Sequence, residues 1–582
     1  MDQMLVTTAL EETWGIDEQL YFLGDWCMLY NRRGIWSKRS FKIQSYHWRN
    51  RKKFSKNSKY VDSLYEKTLA ELTIYLNNYH NLDRPIDYWR IIIGPWLLSW
   101  IPILWDRWES VGIALKKGHF DSTIILKLNQ KDMVPNDYNE FTHYFQQDIW
   151  NHWLYSEILK YRGFSDIIIK ETNNIKIPKL TKTVSKIIKI ISVLNRLLEK
   201  IPVKEKVYFS SSYFPIQRLF LLSLKLKQVP RFRLGLQNVD LSNIKRLETI
   251  RKTKISIKTS NRFEAFMENF VLRGIPVSYL EGFSSLKDST KKIKSKAKII
   301  ITANGHFGDE VFKIWAAERK MGGNKLILSS HGGCIPSKYS MYEHQEEIAD
   351  SFVVWNKPLY RKDIQLPPHK FVNLNLKPTK KGKVTLVGLD LPRYSNKVES
   401  GPVSSLMLDD YEQKYAFINE LNSDVMKDLR IRPYYTDMGW DTSLRYIDAF
   451  GIEKICKEKN LYSSIVRSKI IICTYPQTTF LEAMLSGVPT ILLYPEEYWE
   501  FAPIFNDLVQ KLKKANIIFS NYKKAAMHLN KIANNPDEWW NKPETKMVKK
   551  YLHKMCGEAD SDGLNKWALF FKKQIKETYK VA

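Results

Sequence analysis

The sequence has no closely spaced pair of cysteines: Cys27, Cys334, Cys456, Cys473 and Cys556 lie far apart and form no CxxC unit. Such scatter builds neither a zinc site nor a disulfide framework, and it suits a reducing compartment. An apolar run long enough to span a bilayer is also missing. The most apolar stretch, Ile91 to Trp105, falls short of the roughly 20 residues a spanning helix needs. Pro95 and Pro102 interrupt it, so it reads as a buried helix pair with a turn. The opening residues MDQMLVTTALEETWG carry acidic groups where a signal peptide needs basic ones, and no adequate apolar run follows, so a cytoplasmic protein is expected. No repeat of fixed period occurs, which sets aside solenoids and propellers.

Carboxylates are scarce relative to cations: 62 Asp and Glu stand against 91 Lys and Arg, a formal charge of +29. That imbalance calls for an acidic partner such as nucleic acid, anionic lipid or a phosphorylated substrate. The excess is mostly lysine, spread over Lys170 to Lys206, Lys287 to Lys298 and Lys377 to Lys383, without the zinc, RNP or helix-turn-helix patterns of nucleic-acid readers. Peripheral contact with an anionic membrane fits this diffuse pattern, and specific nucleic-acid binding is not expected. What is plentiful is core-forming material. With 582 residues, 44% of them hydrophobic, and with 18 Trp and 31 Tyr, the chain can build two or three domains with buried cores.

The pattern along the chain is α/β. Leu5 to Leu10 reads as a first strand and Glu18 to Tyr30 as an amphipathic helix, and Tyr, Leu and Trp recur at helical spacing between about 60 and 165. A helical insertion is expected there. From Lys206 onward the runs VYFSSSY, RLFLLSLKLK, AKIIITANGHFGDE, VFKIWAAERKMGG and KLILSSHGG alternate strand and helix. Near-continuous apolar strands joined by amphipathic helices imply a parallel sheet covered on both faces, with ligands beyond the strand C-termini. After the linker KPTKKGK, Lys377 to Lys383, a second set of strands follows in KVTLVGLD, LRIRPYY, KIIICTY and PTILLY. The expected organisation is an N-terminal Rossmann-like domain over 1–376, a C-terminal one over 384–560, and a final helix within 561–582 that packs across the cleft between them.

Five loops at strand ends can carry chemistry. In KIIICTYPQTTFLEAM the turn from Thr474 to Thr479 ends a strand and opens a helix, so backbone N–H groups, Gln477, Thr478 and Thr479 face an incoming phosphate, and Glu482 follows. In KLILSSHGG a strand ends in His331, Gly332 and Gly333; the glycines permit close approach, and the histidine can donate a hydrogen bond or positive charge to a donor phosphate. TANGHFGDE brings His306, Asp309 and Glu310 to a third strand end, where they can hold a base or bind a sugar hydroxyl. Glu11 and Glu12 follow the first strand, and Glu12 is the expected proton acceptor for an acceptor hydroxyl, with Glu11 beside it on the acceptor. Finally, LRIRPYYTDMGWD offers Arg432 for phosphate and Tyr434, Tyr435 and Trp440 for stacking.

Several stretches together carry a family resemblance: TTALEETW, YWRIIIGPWL, NHWLYSEIL, ANGHFGDEVFKIWAA, SHGG with EHQEEIADSFVVW, RPYYTDMGW and YPQTTFLEAMLSGVPTIL. The chain resembles, nearly end to end, the bacterial transferases of O-antigen and other surface-polysaccharide clusters. The resemblance implies a GT-B glycosyltransferase fold, with the donor nucleotide on the C-terminal domain and a glycan or lipid-linked acceptor on the N-terminal one. It also implies that Thr478, Thr479 and Glu482 hold the donor phosphate and ribose while His331 reaches the phosphate from across the cleft. Where the family's HGG runs on into a further glycine and an aromatic, this chain has Cys334 and Ile335. The co-substrate is a nucleotide-sugar. No cofactor or metal is expected, because Asp409 and Asp410 lie in a loop and form no DxD motif at a strand end. Two other readings remain open: a polyol-phosphate transferase, which shares the scaffold and a His-Gly loop, and a non-catalytic basic binder of nucleic acid or anionic membrane.

Overall fold

A computed structural model describes residues 3–172, 176–178, 191, 193–195, 197–198, 201, 203–233, 239–339, 342–371, 379 and 382–580. Two five-stranded parallel sheets organise the chain. The middle one comprises β6 (Val207–Ser210), β7 (Ile299–Thr302), β8 (Lys325–Ser329), β9 (Ser351–Val354) and β10 (Asp363–Gln365) in the order β10-β9-β8-β7-β6. The C-terminal one comprises β11 (Lys383–Val387), β12 (Leu429–Arg432), β13 (Ser468–Cys473), β14 (Thr490–Leu493) and β15 (Ile518–Phe519) in the order β12-β11-β13-β14-β15. Their central strands are buried on both faces, which is why they read as unbroken apolar runs rather than alternating ones. These are the two Rossmann-like α/β domains expected from the strand–helix alternation. The linker read at Lys377 to Lys383 lies largely outside the described residues.

The N-terminal region differs from expectation. Residues 3–171 carry strands of their own: β1 (Gln3–Val6), β2 (Gln19–Phe22) and β3 (Phe41–Ile43) pair in parallel, as do β4 (Thr123–Lys127) and β5 (Ile167–Glu171), and a Met4–Ser122 bridge joins the two sets. The first strand stops at Val6 instead of reaching Leu10. The helix expected over Glu18 to Tyr30 is instead β2 followed by short 3-10 turns, because Gln19–Leu20–Tyr21–Phe22 alternates with period two and sends Leu20 and Phe22 into the core. The helices expected between about 60 and 165 are present: Arg51–His80, Ile86–Lys117, Tyr138–Tyr144 and Asp148–Arg162 all lie within this N-terminal unit.

Ile91 to Trp105 also folds differently: it lies inside one continuous helix, Ile86–Lys117, with Pro95 and Pro102 both interior. An interior proline costs about 3 kcal/mol. Each large apolar side chain fully buried returns about 1.5–3 kcal/mol, and Ile91, Ile92, Ile93, Trp96, Leu97, Trp100, Ile101, Ile103 and Leu104 are all buried to within about one per cent. Burial on every side therefore outweighs the two lost backbone bonds. No helix among the described residues is long and apolar enough to cross a membrane.

This unit grips both domains. On the middle domain, Glu264 accepts from Tyr60 and Lys67, and Glu318 accepts from Arg84 and Tyr88. On the C-terminal domain, the segment leaving β11 reaches into it: Arg393 donates to the Trp26 carbonyl and, at 2.5 Å, to Asp148, which also accepts from the Ala9 N–H and the Tyr394 hydroxyl. Next to it the fully buried Arg107 donates to Asp106, Asn151 and the Ser395 carbonyl. The last helix, Gly563–Lys580, returns to the middle sheet, setting Trp567 5.0 Å from Phe214 and Phe571 5.3 Å from Phe209.

Removing the cation from a buried pair strands its carboxylate, which costs about 3–5 kcal/mol. Arg393→Ala is therefore expected to lower stability in urea unfolding by about 3 kcal/mol, and a loss below about 1 kcal/mol would show that the anchor is dispensable.

Candidate active site in the interdomain cleft

The carboxyl ends of both sheets meet at a cavity of about 240 Å³. Phe307, Ser330, His331, Gly332 and Gly333 line it from the loops after β7 and β8, Gln477 and Thr478 from the turn after β13, and Lys397 and Glu399 from the segment after β11. The walls touch directly: the Gly333 N–H donates to the Thr478 hydroxyl at 2.7 Å, and the Ile335 N–H donates to the Pro476 carbonyl at 3.4 Å. Glycine is required at both positions on the middle-domain side. Gly333 sits at φ +120°, and a Cβ on Gly332 would stand 2.4 Å from the Thr478 Oγ1. Helix Thr478–Ser486 starts at this wall, with Gln477 at its N-cap making no side-chain capping bond. Gln477 and Thr478 both line the cavity, so the positive end of the helix dipole lies at this wall.

His331 stands at the cavity mouth between Tyr213 and Phe307, 6.2 and 6.1 Å away between ring centres. Surrounding protein disfavours its charged form, the nearby Lys397 and Lys370 ammonium groups add to this, and the imidazole pKa falls below the ordinary histidine value despite the opposing Glu399. Tyr213 is held toward it by strained backbone, since Ser211 and Tyr213 both lie in the left-handed region at φ +44° and +60°. Behind His331 lies His306, buried, with Nε2 3.1 Å from the Gln345 amide nitrogen and with Nδ1 unpartnered among the described residues. Burial and then the charges of His344 and His331 depress its pKa strongly, so it stays neutral.

Other residues singled out in the sequence are engaged elsewhere. Glu11 pairs with Arg32 at 2.6 Å, and Glu12 shares its short turn; neither lines the cavity. Asp309 is buried as the N-cap of helix Glu310–Met321, accepting from the Phe312 N–H, and Glu310 pairs with buried Lys313. Thr474 donates to the Val387 carbonyl in the next strand, and Thr479 bonds the Tyr475 hydroxyl, so both hydroxyls face inward. Arg432 donates to the Glu458 carbonyl and Ser464 within its own domain. Glu482 is buried and ion-paired to Lys370 at 2.7 Å. Tyr435 is 82% exposed, with its ring centre 4.6 Å from that of Tyr434 and tilted by 41° to it. Burial and, after it, the Tyr435 phenol raise the pKa of Tyr213.

Lys397 and Glu399, ion-paired in the cavity wall, were missed in the sequence. The signal was available, because KVTLVGLD was read as a strand and ligands collect beyond strand ends. Asp409 pairs with Arg49 and Asp410 with Lys414. Among the described residues no group of three or more His, Cys, Asp or Glu is arranged to hold a metal.

Comparison with known proteins gives one sequence-level match. The model of a family described as the LIC12162 family transferase matches residues 3–571. No curated protein matches the chain. Among solved structures, MurG of Acinetobacter baumannii is 10% identical with a TM-score of 0.30, over 64% of this chain and 99% of its own. The wall teichoic acid polymerase TagF is 10% identical at TM-score 0.30, over 67% and 96%. WaaG, a glycosyltransferase involved in lipopolysaccharide biosynthesis, is 10% identical at TM-score 0.30, over 63% and 99%.

The Gly332–Thr478 approach is open to a double-mutant cycle. Gly332→Ala turns the Thr478 hydroxyl away from Gly333 and is expected to cost about 1–2 kcal/mol in thermal or urea unfolding. In a Thr478→Ala background the same change is expected to cost under about 0.5 kcal/mol. Equal costs in both backgrounds would mean that Gly332 and Thr478 are not in contact.

Proposed function

We propose that this chain, which belongs to the LIC12162 family of transferases, is a glycosyltransferase moving a sugar from a nucleotide-activated donor to a surface-polysaccharide or lipid-linked glycan acceptor. One observation carries the reading: the Gly333 N–H to Thr478 bond brings the carboxyl ends of two parallel sheets to one cavity. Its walls offer phosphate-binding groups, namely helix N-terminal N–H groups, glycine backbone, Gln477 and the Lys397 ammonium. The resemblance to surface-polysaccharide transferases supplies the substrate class. The donor nucleotide lies along the C-terminal domain, with Tyr434 and Tyr435 available for stacking, and transfer takes place in the cytoplasm.

In this mechanism an acceptor hydroxyl forms the new bond to the anomeric carbon as the bond from that carbon to the donor phosphate breaks. The leaving phosphate gathers negative charge, which the helix dipole, Lys397 and His331 stabilise. Glu399 replaces Glu12 as the group proposed to take the hydroxyl proton, since Glu399 lines the cavity and Glu12 does not. The fixed positive groups make a metal unnecessary in this reading.

Screening UDP-, GDP-, dTDP- and CMP-sugars for thermal stabilisation tests the assignment, because a ligand bound only to the folded state raises its apparent stability. At least one is expected to stabilise the protein, and His331→Ala and Thr478→Ala are each expected to lower transfer by about a hundredfold or more. Phosphorus incorporated into the product would overturn the glycoside assignment.

The pH dependence has a definite sign. Free His331 titrates below 6.5, and a bound diphosphate favours its charged form, so binding takes up a proton. Donor affinity should therefore strengthen as pH falls toward the free-state pKa and level off below it, and His331→Gln should flatten the profile. A flat profile in the parent protein would remove His331 from the phosphate. Transfer should also persist in EDTA; a lasting loss restored by Mg²⁺ would overturn the metal-free mechanism.

A further inference from the structure

The outer layer of the middle domain is unusually apolar for a surface facing water. Among the described residues, ten exposed large apolar side chains fall between Val193 and Leu224, nearly half of all those the protein exposes. On helix Ile216–Lys225 the pattern is two-sided: Leu219 and Leu222 are buried against the sheet, while Ile216, Phe220, Leu221 and Leu224 are 40–52% exposed. Clustering of this kind marks a surface that meets something apolar.

What it meets is indicated by charge. Between residues 203 and 233 the lone carboxylate is Glu205, which is buried against Arg231, Arg233 and Ser295, whereas Lys225 and Lys227 are exposed. The neighbouring helix Gly563–Lys580 packs against Ile216–Lys225 and exposes Lys572, Lys573 and Lys576. Along this same helix runs a groove of about 700 Å³ with apolar walls, including Leu569 and Phe570; three lysines line it, Lys554, Lys573 and the Asp560-paired Lys566, against one carboxylate, Glu558. Apolar side chains ringed by lysines match an anionic bilayer, where the rings and methyl groups enter the interface and the ammonium groups meet lipid phosphates.

We propose that the protein docks on anionic membranes through this outer layer, with helix Ile216–Lys225 as the inserted element. The position is suited to a lipid-linked substrate. Tyr213, three residues before the helix, lies 6.2 Å from His331, so the docked face leads directly to the cleft mouth. The docking itself stands independently of the transfer reading, because it rests on residues outside the cavity.

Vesicle flotation of the full-length protein tests this. It is expected to float with vesicles holding about one-third anionic lipid, to do so less as salt rises, and to stay unbound with purely zwitterionic vesicles. Phe220→Ser/Leu224→Ser should weaken partition by about tenfold or more. Lys225→Glu/Lys572→Glu should weaken it and reduce its salt dependence. All four positions are exposed, so circular dichroism and melting temperature should match the parent, as should nucleotide-sugar stabilisation. Failure of the parent to float, or flotation unchanged in both variants, would overturn the proposal. A concentration-dependent dimer in light scattering that the serine variant abolishes would assign the face to a second copy instead.

Discussion

A cleft between two sheets is useful only if something fixes how far apart they stand, and here that is the anchor of Arg393 on Asp148. The segment leaving β11 belongs to the C-terminal domain by sequence, yet its Arg393, Tyr394 and Ser395 bond to a unit built from residues 3–171. Arg393 is buried, so in a low-dielectric setting its pairing is strong and its loss costly. Four and six residues further along the chain, Lys397 and Glu399 enter the cavity wall. The interaction that holds the domains together therefore also delivers charge to the site.

The N-terminal unit acts as a brace. It bonds to the middle domain through Glu264 and Glu318 and to the C-terminal domain through Asp148, with Arg49 and Arg51 paired to Asp409 and Glu500. Wide opening of the cleft would have to break several of these charged contacts together. The cavity is thus largely assembled before any ligand arrives, and preorganised dipoles need no costly reorientation when charge develops.

How much of this was legible depended on the physical signal each element sends. Parallel strands buried on both faces, such as Ile299–Thr302 and Ser468–Cys473, give unbroken apolar runs and were readable. Very short elements were not: Gln19–Phe22 is four residues long, too few to separate a period of two from a helical one. The prolines in Ile86–Lys117 argued for a break that tertiary burial overrode. At the site, His331, Gly332, Gly333, Gln477 and Thr478 were found by reasoning from strand ends, and the structure places them around one cavity. Thr474, Thr479, Asp309 and Arg432 sit equally close to strand ends, but their side chains satisfy backbone or neighbouring groups, and sequence spacing does not tell an inward hydroxyl from an outward one. Lys397 and Glu399 come from an irregular segment whose path is set by the distant Asp148.

The return of helix Gly563–Lys580 to the middle sheet bears on how the protein is made. Phe209 lies in β6 and Phe214 in the loop after it, in a domain whose sheet strands span Val207 to Gln365, yet their covering partners Trp567 and Phe571 are translated hundreds of residues later. At about 5–20 residues per second the ribosome needs on the order of tens of seconds to cover that distance. During this interval the nascent middle domain presents an uncovered aromatic face, a natural client for chaperones. Synthesis of helix Gly563–Lys580, rather than completion of the sheet, becomes the event that seals this core.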